Sequence, residues 1–578
     1  MKILKINIPF LYTENTDMEF VAADKHYTEF AIKGDIDLSI DPVEKKLITG
    51  DKIDKDGIVV TPSKFRSASL QGILVISGTS FGRTGRNKLL YKCIPNNKSL
   101  PVFLVGYEDK NKSFGKNKTD KFVSFKMLHW KDKHPEGQII ETIGSVDDIN
   151  AYAEYQLRCR DISVAIQKFN KDVYKKVSQL SVKASNNASI PYICKTTYKI
   201  KDRSDTSQNI ISIDPEGCVD IDDAFEIKKV NDKKVVLSIY ISNVPLTIDY
   251  LNLWEHMPRR VSTIYLPDRK RPMMPTTLSE GLSSLKAGTQ RVVLALDITI
   301  DKIGDDWFIK TSQFEPCLIR VNKNYAYDSR EMQDDLSYQS AMYIIGNVNE
   351  NWKKYSIPLV EDISDSHKLI EWMMLLYNCK AAEALKNSNM GIFRSLTTSP
   401  SQLNATVPSD ISTFVKGWHS SGGNYTREPT VKHDIIGEIY AHTTSPIRRL
   451  VDFINVFEIN RLCGILYHNL SQLRLLTEKD DIEWLNQQMK GIRKVQNEVK
   501  LLDMMVNNVD GIKESPQEGY VIDIDDIHAT VYFSKQGFVN RYKYGTAKPT
   551  LYQKNMYTIH LFNDEHNLKQ KVRISVIN

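Results

Sequence analysis

Along residues 1–145, short runs of β-branched and aromatic side chains alternate with turn formers, as in DGIVVTP (56–62), QGILVISG (71–78), PVFLVGYED (101–109) and KFVSFKMLHW (121–130). This spacing predicts small β-barrels or sandwiches, and two consecutive modules fit it better than one. From Ser145 to about Lys183 the apolar period lengthens, as in VDDINAYAEYQLRCRDISVAIQKF (146–169), which predicts a helical connector. Strand-like runs follow at 209–213, 234–242, 291–300 and 308–314. Helical patterns cover 366–386, a stretch opening at Pro446, and about 483–505. The C-terminal EGYVIDIDDIHATVYFSK (518–535) and MYTIHLF (556–562) return to strand composition at the size of one small barrel. The pattern therefore gives two barrels, a large α/β body and a last barrel.

Length agrees with several domains, since 578 residues exceed the roughly 250–300 at which single cores stop growing. An apolar share of 41% and a charged share of 26% exclude a disordered or membrane class. No stretch approaches the roughly 18 apolar residues of a membrane helix. The opening MKILKINIPFLY is broken by Lys5, Asn7 and Pro9 before a secretory core can form. These features predict an intracellular protein, cytoplasmic rather than nuclear. Cysteines at 93, 159, 194, 218, 317, 379 and 463 form no C-x-x-C pair, which argues against zinc sites and disulfides. A net charge of +6 decides little. Its distribution says more: lysines gather at 110–121, and Arg83, Arg86 and Lys88 sit in one loop, as either solvated loops or nucleic-acid contacts would require.

Candidate chemistry begins in ISIDPEGCVDIDDAF (211–225), where Asp214, Asp220, Asp222 and Asp223 stand within ten residues. Pro215 and Gly217 force a turn that can fold Asp214 back toward the others. Four such carboxylates are either solvated or hold cations, and hard oxygen donors select magnesium or manganese. Two such ions held about 3.5–4 Å apart are a standard device for phosphodiester hydrolysis. The same DIDD recurs at Asp523–Asp526 between two strand runs, where it reads as a plain hairpin turn, so the tetrapeptide alone carries little.

YAHTTSPIRRLVDFINVFEINRL (440–462) predicts a helix with Ser445 as N-cap and Pro446 as its first residue. Ile447, Leu450, Val451, Ile454 and Phe457 would form its apolar stripe. Arg448 and Arg449 then fall in the first turn, where cations oppose the helix dipole. Either a bound phosphate or the acidic loop would answer them.

Three segments together resemble the ribonuclease II (RNB) family: SIDPEGCVDIDDAF, YLPDRKRPMMPTTLSEGLSSLKAG (265–288) and HTTSPIRRLVD (442–452), in the family's order and spacing. Segment 92–161 and the C-terminus resemble, more faintly, the second cold-shock barrel and the S1 barrel of the eukaryotic exosome-type nuclease, without room upstream for its endonuclease domain. The resemblance implies a multidomain protein, an α/β catalytic body (RNB domain) flanked by OB-like β-barrels, two N-terminal cold-shock-like and one C-terminal S1-like. The expected boundaries are 1–62 and 63–145 for the first barrels, 146–200 for the connector, 201–505 for the RNB domain and 506–578 for the last barrel.

The resemblance further implies processive, magnesium-dependent 3′→5′ hydrolysis of single-stranded RNA to 5′-nucleoside monophosphates. Two Mg²⁺ ions, or Mn²⁺ in their place, would be held by Asp214, Asp220, Asp222 and Asp223. Asp222 and Arg448 would be catalytic, and Tyr265, Tyr327, Glu371, Arg448 and Arg449 would bind RNA. The expected partner is the 3′ end of single-stranded RNA, engaged by a monomer without a small-molecule cofactor. Three departures from the family pattern stand out: Trp372 after Glu371, YISNV (240–244) with Tyr240 and Asn243 where relatives have a His and an Asp, and Leu450 in place of an aromatic residue. Buried Glu371 and Asn378, on one helix face, are expected to need polar partners. Two other readings stay open: a catalytically silent RNA-binding protein of the same fold, and a DNA or general phosphodiesterase.

Overall fold

The computed structural model describes residues 18–33, 40–108, 118–162, 164–183, 189–205, 208–354, 359–395, a broken run between 407 and 440, 441–468, 479–507, 511–512, 515–545, 547–564 and 569–577. The opening MKILKINIPFLY and most of the lysine-rich stretch 110–121 lie outside the described residues. The chain divides into two units, residues 1–163, 266–268 and 492–578 in one and 164–265 and 269–491 in the other. No described helix is long and apolar enough to cross a membrane.

In the first unit, strands Leu70–Val75, Leu89–Pro95, Phe103–Tyr107, Lys121–His129 and Glu136–Ser145 close into a barrel. Its core of Leu74, Cys93, Phe103, Val105, Val123 and Phe125 comes from the inward positions of these strands. Before it, Met18–Ala22, Phe30–Lys33, Lys52–Ile53 and Val59–Thr61 form a four-stranded antiparallel sheet. Strict burial alternation in Met18–Ala22 places Phe20 at its centre. The C-terminal strands from Gln517–Ile524 to Lys569–Val576 make a five-stranded sheet around Val521, Val531, Phe533 and Tyr557. The second DIDD closes a hairpin there, with Asp525 accepting from the backbone N–H of Ile527 and His528.

The second unit is built on a seven-stranded mixed sheet. From edge to edge its strands are Lys201–Arg203, Asp306–Arg320, Gln290–Ile303, Lys234–Ser242, Asp223–Asn231, Ile211–Asp214 and Lys323–Ala326. Both faces are covered. Leu237, Ile239, Ile241, Leu294, Leu296 and Ile298 share a core with side chains from helices Leu336–Lys353, Ser366–Asn387 and Leu450–Leu462. Tyr240, Val293, Ala295 and Cys317 pack with Ile210, Ile221 and Leu285 in a separate cluster. Burial on both faces is why 234–242 and 291–300 read as continuous apolar runs rather than as alternation.

The stretch 440–462 departs from its expected form. The helix begins at Leu450, and Pro446–Arg448 form a turn before it. Backbone N–H groups of both Arg448 and Arg449 donate to Ser445 O, at 3.0 and 2.9 Å. Arg449 is then extended, with φ −133° and ψ 131°, and bridges Ser262 as a strand would. Neighbouring bonds from Thr263 N to Arg448 O (2.9 Å) and from Leu450 N to Val261 O (2.9 Å) fix that geometry and delay the helix. The apolar stripe is not one-sided either, because residues 450 to 457 are all buried.

Candidate active site

Strand Ile211–Asp214 ends on the first aspartate. The turn that follows is closed by Cys218 N donating to Pro215 O at 3.0 Å, with Gly217 at φ 75°, a conformation that suits a residue without a Cβ. The chain then returns antiparallel, with Phe225 opposite Ile211, so Asp214 and Asp223 stand at adjacent strand ends. Asp222 is 1% exposed. Its Oδ1 accepts from Ile447 N at 3.0 Å and its Oδ2 from Arg448 Nε at 2.6 Å, across more than two hundred residues of sequence. Asp220 Oδ1 accepts from Lys270 Nζ at 3.0 Å.

Burial dominates the electrostatics. It pushes the Asp214 carboxyl up to about 6, with Ser212 and Arg448 opposing the rise. Asp222 is likewise pushed up to about 6 by burial, against the pull of Arg448 and the Ile447 N–H. Asp223 is raised well above the usual carboxylate range by burial and by the charges of Asp214 and Asp222. Burial opposes the charge of Lys270, but the hydrogen bonds and charges of Asp220 and Glu280 together outweigh this and raise its pKa. This concentration of buried negative charge calls for cations.

Two side chains supply part of that charge, and among the described residues no three metal-type side chains converge into a ready ligand cluster. The donor set nevertheless suits a hard divalent ion. Every carboxylate is an oxygen donor, and Asp214 Oδ2 is buried with no hydrogen-bond partner, an arrangement an ion would relieve.

Arg448 reaches this cluster as an ion-pair partner of Asp222, and its side chain stays 40% exposed. Arg449 turns elsewhere, pairing with buried Asp452 at 2.8 Å. Tyr265, 47% exposed, lies on the short hairpin Ile264–Tyr265 with Lys270–Arg271. Burial of part of its ring raises its pKa, and the nearby Arg448 guanidinium opposes the rise. The backbone N–H of Tyr327 donates to Asp214 O at 3.0 Å, and its ring stacks on His367 with centroids 3.8 Å apart and planes 9° from parallel. Burial, then the charges of Asp223 and Asp214, raise its hydroxyl pKa.

Glu371 is exposed and pairs with Lys368 at 2.8 Å, against the expectation of a buried acid. Asn378 is buried as expected, and its partners are structural: its amide NH₂ donates to Tyr440 Oη and Thr444 Oγ1, and its carbonyl accepts from Thr443 N and Oγ1. The departures from the family pattern are also structural. Tyr240 donates to Glu226 inside the sheet, Asn243 caps helix Val244–Tyr250 and exchanges hydrogen bonds with Asn460, and Trp372 is fully buried. Sequence reasoning missed Lys270 and His367. Lys270 stands inside a quoted family segment with no role of its own, and nothing local ties His367 to Tyr327.

With this geometry in place, the family model of the RNB domain matches residues 203–336. The chain carries an RNB domain. That stretch holds the acidic turn, six of the seven strands in full and Tyr265, Lys270 and Tyr327. Ribonuclease R of Ureaplasma parvum is 34% identical over 207 residues, 36% of this chain and 26% of that protein. DIS3-like exonuclease 2 of Schizosaccharomyces pombe is 26% identical over 280 residues, 45% and 29% of the two chains. These matches therefore span less than a third of either relative's length.

Among solved structures, the apo form of Mycoplasma genitalium RNase R superposes with a TM-score of 0.62 at 18% identity, covering 96% of this chain and 95% of that one. The same enzyme in complex with ribose-methylated single-stranded RNA also scores 0.62. Yeast Ssd1, a pseudonuclease, scores 0.56 at 14% identity over 91% of this chain and 68% of its own. The chain thus has an RNase R-like fold with β-barrel elements and an RNB domain.

Proposed function

We propose that the chain is a magnesium-dependent 3′→5′ exoribonuclease acting on single-stranded RNA. The observation that carries this reading is the buried Asp214 oxygen without a hydrogen-bond partner, in a strand–turn–strand segment that also carries Asp220, Asp222 and Asp223, with Arg448 paired to Asp222. Those carboxylates would hold two magnesium ions, or manganese in their place, which supply an activated water and positive charge for phosphodiester hydrolysis. Arg448, fixed at its Nε by Asp222, keeps an exposed side that would offset charge on the scissile phosphate. The stacked Tyr327–His367 pair and the half-exposed Tyr265 ring offer flat surfaces for the terminal bases. Products would be 5′-nucleoside monophosphates.

Similarity to a pseudonuclease keeps a silent RNA-binding protein as the second reading. In its favour, Asp220 and Asp222 already carry side-chain cations. Oligoribonucleotides labelled at either end, incubated with and without magnesium, separate the two. The expected result is progressive shortening of the 5′-labelled strand, mononucleotides from the 3′ end, and loss of both in Asp222→Asn. Retained RNA binding with no cleavage at any magnesium or manganese concentration would establish the silent reading, and cuts in a circular RNA would refute exonucleolytic action.

A further inference from the structure

Lys270 sits on the short hairpin where it pairs with Tyr265 across the two strands, so its backbone is fixed beside a residue that neighbours Arg448. Its side chain is 26% exposed, with Nζ 3.0 Å from Asp220 Oδ1 and 3.5 Å from Glu280 Oε1. The four aspartates consequently fall into two kinds. Asp220 and Asp222 each carry a side-chain cation, whereas neither Asp214 nor Asp223 forms an ion pair among the described residues. A divalent ion arriving at Asp214 and Asp223 meets no resident ammonium or guanidinium on them. An ion that uses Asp220 meets the Lys270 ammonium already on its Oδ1.

The two resident cations also differ in mobility. Arg448 is a planar fork held by Asp222 on Nε and by Ser445 Oγ on Nη2, a fixed arrangement. Lys270 is a point charge on a flexible stem, already within reach of a second carboxylate at Glu280. Rotation of that stem exchanges Asp220 for Glu280 without exposing the ammonium unpaired.

We propose that Lys270 is a tethered cation that competes with one divalent ion for Asp220, so that the site loads one ion tightly and the other only as Lys270 withdraws to Glu280. The proposal rests on the reading of the acidic cluster as a metal site. It makes Lys270 a positioning residue that sets the magnesium concentration at which the second ion enters.

The test is manganese binding to the full chain without RNA, followed by calorimetry and by loss of the free-ion electron paramagnetic resonance signal. Wild type should bind one ion tightly and the second at least about tenfold more weakly, the scale of adding a like charge beside the ligand. Lys270→Met should tighten the second ion and leave the first unchanged, and Glu280→Gln, which removes the alternative perch, should weaken the second further. Lys270→Arg keeps the charge and should keep the inequality. Equal loading of two ions by wild type, identical constants in wild type and Lys270→Met, or weakening of both ions in Lys270→Met would each overturn the lysine's role while leaving the metal reading intact. Absence of any manganese uptake by wild type would overturn the metal reading and this proposal with it.

Discussion

Replacing Arg448 by alanine separates its catalytic from its structural contribution, because it shares an ion pair with a carboxylate that has no exposed surface. The Asp222 side chain is 0% exposed and that of Arg448 is 40% exposed. Removing one partner of a fully buried pair costs about 3–5 kcal/mol. Solvent screening of the half-exposed guanidinium reduces that to about 1–3 kcal/mol here. The backbone N–H of Ile447 remains on the other Asp222 oxygen and prevents complete loss.

The cost depends on pH in a definite direction. Without Arg448, the Asp222 carboxyl should rise beyond about 6, so it is protonated and cheap to bury at pH 5 but charged and costly at pH 8. Urea unfolding of the full chain with a chelator at both pH values measures this. The expected result is near-equality of wild type and Arg448→Ala at pH 5 and a clear deficit of the variant at pH 8. In the nuclease assay at saturating magnesium, the same variant should be slower by roughly two orders of magnitude or more, the scale of losing a transition-state donor. Equal stability at pH 8 would refute the structural part of the argument. Recovery of activity on raising magnesium would show that Arg448 only steadies Asp222, and would sink its contact with the phosphate.

The raised carboxyls of Asp214 and Asp222 mean that the folded chain binds more protons than the unfolded chain between about pH 4 and 6, so metal-free stability should fall as pH rises through that window. Magnesium favours the ionised form and should therefore raise the melting temperature more at pH 7.5 than at pH 5; equal shifts would contradict this. Tyr327→Ala should weaken capture of a short single-stranded RNA by about tenfold, since a base stack is worth about 1–3 kcal/mol, and fluorescence anisotropy reads it directly. Asn378→Ala strands the buried N–H and hydroxyl of Thr443 and should cost about 2–4 kcal/mol in denaturant unfolding, a loss too large for an asparagine that served RNA alone.

Local chemistry was legible in the sequence and long-range pairing was not. The acidic cluster could be read because a four-residue strand, a Pro-Gly turn and a returning strand bring its members together within a dozen positions. The central strands announced themselves through apolar runs buried on both faces. Lys270 and Asp220 meet across fifty residues, and no periodicity reports such a meeting. Glu371 shows a different limit. Helical spacing puts it on the same face as Asn378, but that face changes along the helix, from the exposed turn around His367 and Lys368 to the packed stretch at Asn378. Periodicity gives direction around an axis and says nothing of where along it the covering ends.

The arginine segment shows how tertiary contacts overrule a sound local signal. Ser445 followed by Pro446 is a favourable helix start, and helix formation from there would have set two cations against the dipole. The chain avoids that conflict by making a turn over Pro446–Arg448 and extending at Arg449, which completes a bridge to Ser262. The first helical turn then contains Asp452, an acid where the dipole favours one. Asp452 accepts from Ser445 N at 2.8 Å and from Arg449 at 2.8 Å, so the carboxylate joins the turn before the helix to the helix itself. Arg448 is thereby released from helical geometry, and its direction is set by the neighbouring strand and by Asp222. Its placement at the acidic cluster follows from those contacts, and an anion at a helix terminus is not needed to account for it.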